Sequence, residues 1–145
     1  MRIRIPLALA AAAAMLLSCT TSASSAKTIP VRFGKNTLSV EIARNEQERQ
    51  HGLMFRRELG RDAGMIFVFD APEDANFWMK NTPLPLSIAF LDSEKVVLNI
   101  DEMAPFDEKS FHRSKGKALY AVEANANWFE SHGVKAGDKA EFDLP

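Results

Sequence analysis

The side chains best suited to bind a ligand lie within one short segment, from Phe77 to Thr82. If this segment is a strand, Trp78, Lys80 and Thr82 share one face, because successive side chains of a strand point to opposite faces. An indole beside an ammonium and a hydroxyl group makes a platform for a sugar or another flat, polar ligand. The alternative is structural: Trp78 packs in the core, and the ammonium group of Lys80 extends past it to solvent. In both cases the strand is expected to be central to the fold.

Three further residues, Asn81, Arg56 and Arg57, are candidates to extend this platform. A guanidinium group presents a planar fork of donors that matches a carboxylate or a phosphate, and the amide of Asn81 adds another donor. We therefore predict a ligand-binding face made by Trp78 and Lys80, with these three residues as additional donors.

The sequence contains no motif of a known hydrolase or metalloenzyme. It has neither the Gly-x-Ser-x-Gly nor the His-Glu-x-x-His pattern, and no pair among His51, His112 and His132 has the spacing of a local metal clamp. We therefore predict no catalytic constellation, no metal and no cofactor. The alternative is an enzyme that acts on envelope glycans, with Asp92, Glu102 or His112 as the acid or the base.

The charge balance makes nucleic acid an unsuitable partner. The 145 residues carry 18 Lys and Arg against 19 Asp and Glu, for a net charge of −1. Arg2 and Arg4 belong to an apolar N-terminal segment, and without them the net charge falls to −3. A chain of this charge has no basic stripe with which to neutralise a run of phosphates. We predict that nucleic acid is not a partner.

Residues 1–19 have the pattern of an export signal. Arg2 and Arg4 form a positive start, and the apolar run from Ile5 to Leu17 follows. A helix of this length spans about 20 Å, which is too short for a hydrocarbon core of about 30 Å. A signal peptide therefore fits better than a membrane span.

The end of this signal has two interpretations. The segment from Leu16 to Cys19 resembles the lipobox of bacterial lipoproteins, in which the Cys is lipidated and becomes the new N-terminus. Cleavage near Ser24–Ala26, which would release a soluble periplasmic protein, is the alternative. We predict a periplasmic protein, anchored to the inner or outer membrane by a lipid on Cys19 and touching the membrane nowhere else. Cys19 is the only Cys, so the mature fold has no internal disulfide.

The remaining sequence indicates a tether followed by one β domain. Residues 20–29 are rich in Ser and Thr and are predicted to be flexible, and residues 30–145 form the domain. Asn45 and Glu48 have the spacing of a capping box for a short helix that ends at Gly52, and Asn125 or Asn127 begins a second one. Period-two and apolar runs predict strands over 31–33, 37–43, 65–69, 77–80, 88–91, 96–100, 118–123 and 140–144. The fold class is therefore mainly β, a compact β-sandwich or barrel with two short helices.

The connection from Ala104 to Lys117 is long and polar, with 14 residues between predicted strands. Connections of this length often serve as lids or mobile segments. Three interpretations stay open: a solvated excursion, a lid over the Trp78 face, or a loop that docks a partner.

Several segments together resemble a known family. Residues 50–57, 63–69, 77–92 and 102–105, which include the unusual Phe-Trp-Met-Lys-Asn-Thr run, are similar to the family called domain of unknown function 192, and the resemblance covers roughly residues 30–143. It implies a compact, mainly β domain of prokaryotes that is often exported, and it implies no reaction. Two positions depart from the family pattern, which often has Asp where Ser87 stands and Cys where Phe106 stands.

We therefore predict an exported cell-envelope protein that acts as a small-ligand-binding or accessory module through its Trp78/Lys80 face. Its expected partner is a small polar ligand or another envelope protein.

Overall fold

The computed structural model describes residues 27–145, which form nine strands and two short helices. The predicted signal peptide, with Cys19, lies outside the described residues, as does the predicted tether as far as residue 26. The strands are β1 (Thr28–Phe33), β2 (Asn36–Ala43), β3 (Ala63–Glu73), β4 (Asn76–Phe77), β5 (Leu86–Leu91), β6 (Val97–Met103), β7 (His112–Arg113), β8 (Ala118–Asn125) and β9 (Ala140–Glu141). The helices are α1 (Glu46–His51) and α2 (Trp128–Ser131).

Seven of these strands form one sheet, in the order β6-β5-β8-β3-β2-β1-β9. The pair β2–β3 is parallel and the other neighbours are antiparallel. The sheet curls until its two edges meet, where Val96 bridges Lys139 and the amide of Val97 donates to the carbonyl of Asp138 over 2.8 Å. The joined edges satisfy backbone groups that an open sheet would leave free. The prediction of a mainly β fold with two short helices is confirmed, and the closure favours the barrel form.

The central strands are buried on both faces, as the sequence of β5, which is apolar except for Ser87, indicates. One cluster of side chains fills the inside of the curl, where Phe33 packs edge-on against Phe129 of α2. A second cluster, which includes Phe67 and Phe90, lies on the outer face of the sheet. The outer cluster is the floor on which the candidate site is built.

The two helices begin in different ways. At α1, Asn45 accepts a hydrogen bond from the amide of Glu48 over 2.9 Å, and the Glu48 carboxylate accepts one from the amide of Asn45, so the predicted capping box is confirmed. At α2, Asn127 precedes the helix with a left-handed φ of 61°, and its side chain makes no capping bond. Asn127, one of the two residues predicted to begin this helix, is therefore its N-cap, but it is held by its amide, which donates to the carboxylate of Glu102, 3.0 Å away.

Three sequence predictions need correction. The strand predicted over 77–80 stops at Phe77 and belongs to a separate two-stranded sheet, β4–β7, so it is not central to the fold. The reason is a turn: the amide of Thr82 donates to the carbonyl of Met79, which ends the extended conformation. The connection 104–117 contains strand β7, and β1 begins at Thr28, two residues before the predicted domain boundary.

Candidate functional site

Three chain segments, residues 53–59, 75–84 and 104–117, form a layer over the outer cluster. They are joined through main-chain hydrogen bonds: the amide of Phe55 donates to the carbonyl of Asn81 over 2.7 Å, and the amide of Phe106 donates to the carbonyl of Thr82 over 3.0 Å. Phe55, Asn81 and Phe106 all have a left-handed φ, of 63°, 53° and 57°. Such conformations are uncommon for a bulky side chain and persist only where the surrounding contacts enforce them.

The large apolar side chains that the described residues expose all lie in this layer. They are Phe55, Trp78, Phe106 and Phe111, which are 67%, 42%, 62% and 50% exposed. A cluster of exposed aromatic residues on one side of a small protein marks an interaction site more often than a scattered set does.

Trp78 is at the centre of this layer. Its ring stacks on that of Phe111, with the ring centres 6.4 Å apart and an interplanar angle of 13°. The Nζ of Lys80 lies 5.2 Å from the centre of the Trp78 ring, within the range of a cation–π contact. Because its side chain is exposed, the alternative in which Trp78 packs in the core is wrong.

A groove opens between α1 and this indole. It is lined by Gln47, Gln50, His51, Met54, Trp78, Lys80 and Asn81. The predicted residues Trp78, Lys80 and Asn81 therefore lie together. Thr82, predicted to share their face, is buried and donates its hydroxyl to the carbonyl of Lys80 over 3.0 Å, because the chain turns there.

The two Arg residues predicted to extend the platform lie elsewhere. Arg56 forms a two-pronged ion pair with Glu41 of β2, at 2.5 and 2.6 Å. The hydrogen bonds to that carboxylate raise the pKa of Arg56, and they occupy both terminal nitrogens of its guanidinium. Arg57 is exposed to solvent, and neither residue lines the groove.

Behind Trp78 the groove meets a cavity of about 290 Å³ between α1 and the sheet. Its walls include the rings of Phe67, Phe69, Phe77 and Trp78, and its floor carries the carboxyl group of Glu123. Glu123 lies on β8, directly opposite Met65 of β3 and Ile88 of β5. Three strands of the central sheet therefore place an acid in apolar surroundings.

Glu123 is buried, with 5% of the residue exposed. Burial raises the pKa of Glu123 to about 8, and no hydrogen bond or ion pair within residues 27–145 offsets this cost. A raised pKa in a cavity is typical of functional acids. Glu123 is not among the residues predicted from the sequence, although a lone Glu between Val122 and Ala124 in an apolar strand is a detectable signal.

The connection 104–117 is mostly exposed to solvent, and it is joined to the rest of the layer at two points. Strand β7 pairs with β4 through Phe77 and His112, and Phe111 stacks on Trp78. Within the connection, the hydroxyl of Ser110 and nearby amides donate to the carboxylate of Asp107, which lowers the pKa of Asp107 to about 2. The connection is therefore a folded wall beside Trp78.

The three residues proposed as acid or base for the enzyme alternative are not in the groove or the cavity. Asp92 accepts hydrogen bonds from the amides of the turn between β5 and β6. Glu102 accepts from the hydroxyl of Ser87 and from a main-chain amide. His112 lies 3.5 Å from Asp101, and its Nε2 is buried without a hydrogen-bond partner.

Residues 27–145 contain neither a metal-binding cluster nor a membrane-spanning helix. In this part of the chain, no group of three His, Cys, Asp or Glu side chains converges as a metal site requires. Over the same residues, no helix is both long enough and apolar enough to span a bilayer.

Comparisons with other proteins support the fold. A model of the family DUF192, described as Uncharacterized ACR, matches residues 29–142. A protein of unknown function from Novosphingobium aromaticivorans is 38% identical, with a TM-score of 0.77, and the match covers 83% of this chain and 89% of that one. A protein from Sinorhizobium meliloti described as a candidate transcription regulator is 33% identical, with a TM-score of 0.76 over 81% of this chain and 95% of that one. No curated protein matches the chain.

Proposed function

Because the chain belongs to the family DUF192, whose description gives no activity, we propose its function from the site itself: it is a small-ligand-binding module of the cell envelope. The ligand lies in the groove between α1 and Trp78. Trp78 supplies the flat surface, and Lys80 and Asn81 supply polar contacts at its edge.

The observation that carries this proposal is the exposure of Trp78 in a groove lined by polar side chains. A tryptophan that only stabilised the fold would bury its ring, as Trp128 does at 3% exposure. Trp78 instead contacts the ring of Phe111 and the ammonium group of Lys80, and these contacts orient the indole before a ligand arrives. A preformed aromatic surface binds with a smaller loss of conformational entropy than a mobile one.

The location in the envelope is part of the same proposal, and it stands on the sequence. Arg2 and Arg4, the apolar run that follows them and the Leu16–Cys19 segment have the order of a lipoprotein signal. A lipid on Cys19 would tether the domain to a membrane and leave the groove free for a ligand or for another envelope protein.

The proposal is tested by a thermal-shift screen of the protein against envelope sugars, nucleotides, amines and metal ions, repeated with Trp78→Ala. We expect at least one compound to raise the melting temperature of the wild-type protein and not that of the variant. Phe106→Ala is the matched control, because Phe106 is exposed in the same layer but does not line the groove. A set of compounds that stabilises both variants equally would contradict the proposal.

A further inference from the structure

We infer that the cavity behind Trp78 binds an organic ammonium cation, with the carboxylate of Glu123 as its counter-ion and the surrounding aromatic rings as its walls. This inference deepens the proposed function and rests on it, because the groove and the cavity share Trp78. It adds the chemical class of the group that the site selects.

The buried acid is the first observation. Glu123 is 95% buried, faces the cavity and has no ion-pair partner within residues 27–145. An ionised carboxylate in apolar surroundings is costly unless a positive charge is placed beside it. The raised pKa of Glu123, about 8, expresses this cost, and a bound cation would lower that pKa by stabilising the charged form.

The walls are the second observation. Four aromatic rings line the cavity, those of Phe67, Phe69, Phe77 and Trp78. Aromatic faces attract cations through their quadrupole, and several rings around one acid are a common arrangement for substituted ammonium groups. A volume of about 290 Å³ suits a small head group rather than a whole polymer.

The balance of the other charged groups that line the cavity also favours a cation. They are Glu46, Arg49 and His51 of α1 and Glu73 of β3, while β5, the other neighbour of β8, carries no ionisable side chain. Arg49 is already engaged, because its guanidinium donates to the carbonyl of Val68 over 3.0 Å and pairs with Asp70 at 3.2 Å. The cavity lining therefore contains more carboxylate side chains than cationic side chains without a partner.

The test measures the binding of choline, a quaternary ammonium alcohol, against 3,3-dimethylbutan-1-ol, its uncharged isostere, by NMR titration of the protein. We expect choline to bind about tenfold more tightly than the isostere at pH 9, since a desolvated cation–π contact and a counter-ion each contribute to affinity. We also expect its affinity to rise between pH 6 and pH 9, as Glu123 ionises, while that of the isostere stays constant.

Glu123→Gln should remove the pH dependence and reduce the preference for choline, since the aromatic walls remain. His51→Gln should keep the dependence on pH, which separates the role of Glu123 from that of the imidazole in the cavity lining. Glu130→Gln, on the exposed side of α2, is the matched control for loss of a carboxylate. Thermal melting of each variant verifies that it is folded, and Trp78→Ala provides a second route to a weakened cavity if Glu123→Gln does not fold.

The outcomes separate the two proposals. Equal affinity for choline and its isostere, or a preference and a pH dependence that are unchanged in Glu123→Gln, would overturn the inference. Absence of choline binding would overturn it too, and the proposed function would stand if another compound bound in a Trp78-dependent way. Absence of any Trp78-dependent compound would overturn both.

Discussion

The amide of Phe55 donates to the carbonyl of Asn81 over 2.7 Å, although both residues hold a left-handed φ. This bond joins the segment after α1 to the turn that carries Trp78 and Lys80, and so it sets one side of the groove. Asn tolerates the left-handed region better than other residues with a Cβ. The backbone conformation of the site therefore favours Asn at position 81.

Asn81→Gly tests whether Asn81 serves the backbone or the ligand. Since Gly adopts a positive φ without steric cost, we expect this variant to keep its stability within about 0.5 kcal/mol, whereas Asn81→Val should lose about 1–3 kcal/mol. Urea unfolding at equilibrium gives both values. If ligand binding is also unchanged in Asn81→Gly, the role of Asn81 is conformational, and a loss of binding would show that its amide contacts the ligand. Equal destabilisation by Gly and Val would contradict the role of the left-handed backbone.

The buried Glu123 predicts that the protein is more stable in mild acid than in mild base. Its pKa is raised from 4.5 to about 8 on folding, so its contribution to stability is full below pH 4.5 and is lost as the pH rises through about 8. We expect the free energy of unfolding to fall by a few kcal/mol between pH 5 and pH 8.5, as each pKa unit corresponds to about 1.36 kcal/mol.

Urea unfolding across this pH range measures the effect. Glu123→Gln should flatten the profile, because an amide does not ionise, and it should raise the stability at pH 8.5. Glu130→Gln, which removes an exposed carboxylate, should leave the slope unchanged. A profile that keeps its slope in Glu123→Gln would assign the pH dependence to other groups.

The ion pair between Arg56 and Glu41 is predicted to stabilise the fold without taking part in ligand binding. Arg56→Gln removes both prongs of the pair and leaves the Glu41 carboxylate half-buried, which should cost about 1–3 kcal/mol. Arg57→Gln is a matched control, because Arg57 is exposed, and its cost should stay below about 0.5 kcal/mol. Isothermal titration of a groove ligand should give the same affinity for both variants as for the wild type. If the Arg56→Gln variant is fully folded but binds the ligand more weakly, Arg56 takes part in ligand binding.

The proposed lipid anchor predicts the fate of a Cys19→Ser variant. Cells that express the wild-type protein should incorporate labelled palmitate into it and retain it in the membrane fraction, since lipidation requires the thiol of Cys19. In Cys19→Ser the label should be lost and the protein should leave the membrane fraction. A wild-type protein that carries no label and is released as a soluble periplasmic form would favour cleavage near Ser24–Ala26.

Local patterns in the sequence predicted the local structure well. The capping box of Asn45 and Glu48 and the strands predicted over 37–43 and 88–91 are all confirmed, because each pattern involves residues that are close together in the chain. The fold class followed from the number of such short strands. The resemblance to the family, carried by the Trp78 segment, is confirmed as well.

The parts that the sequence could not predict depend on contacts between distant segments. Beside the turn that ends the strand predicted through Lys80, the amide of Met79 donates to the carbonyl of Asp107, 28 positions along the chain, and no local pattern signals this contact. Arg56 was assigned to the platform on chemistry alone, and only the fold shows that it faces Glu41 of β2. Glu123 could be recognised as unusual in its strand, yet its cavity exists only once α1 is placed over the sheet.

The central claim, that the ligand lies against Trp78, is tested most directly by the two indole N–H signals in a proton–nitrogen NMR spectrum. The protein has two Trp residues, and Trp128→Phe assigns the signals. Trp128 donates its indole N–H to Asp62 over 2.9 Å within the fold, so it serves as the internal reference. On addition of a compound from the screen, we predict a saturable shift of the Trp78 signal and no shift of the Trp128 signal. A compound that binds and leaves the Trp78 signal unmoved would contradict the account.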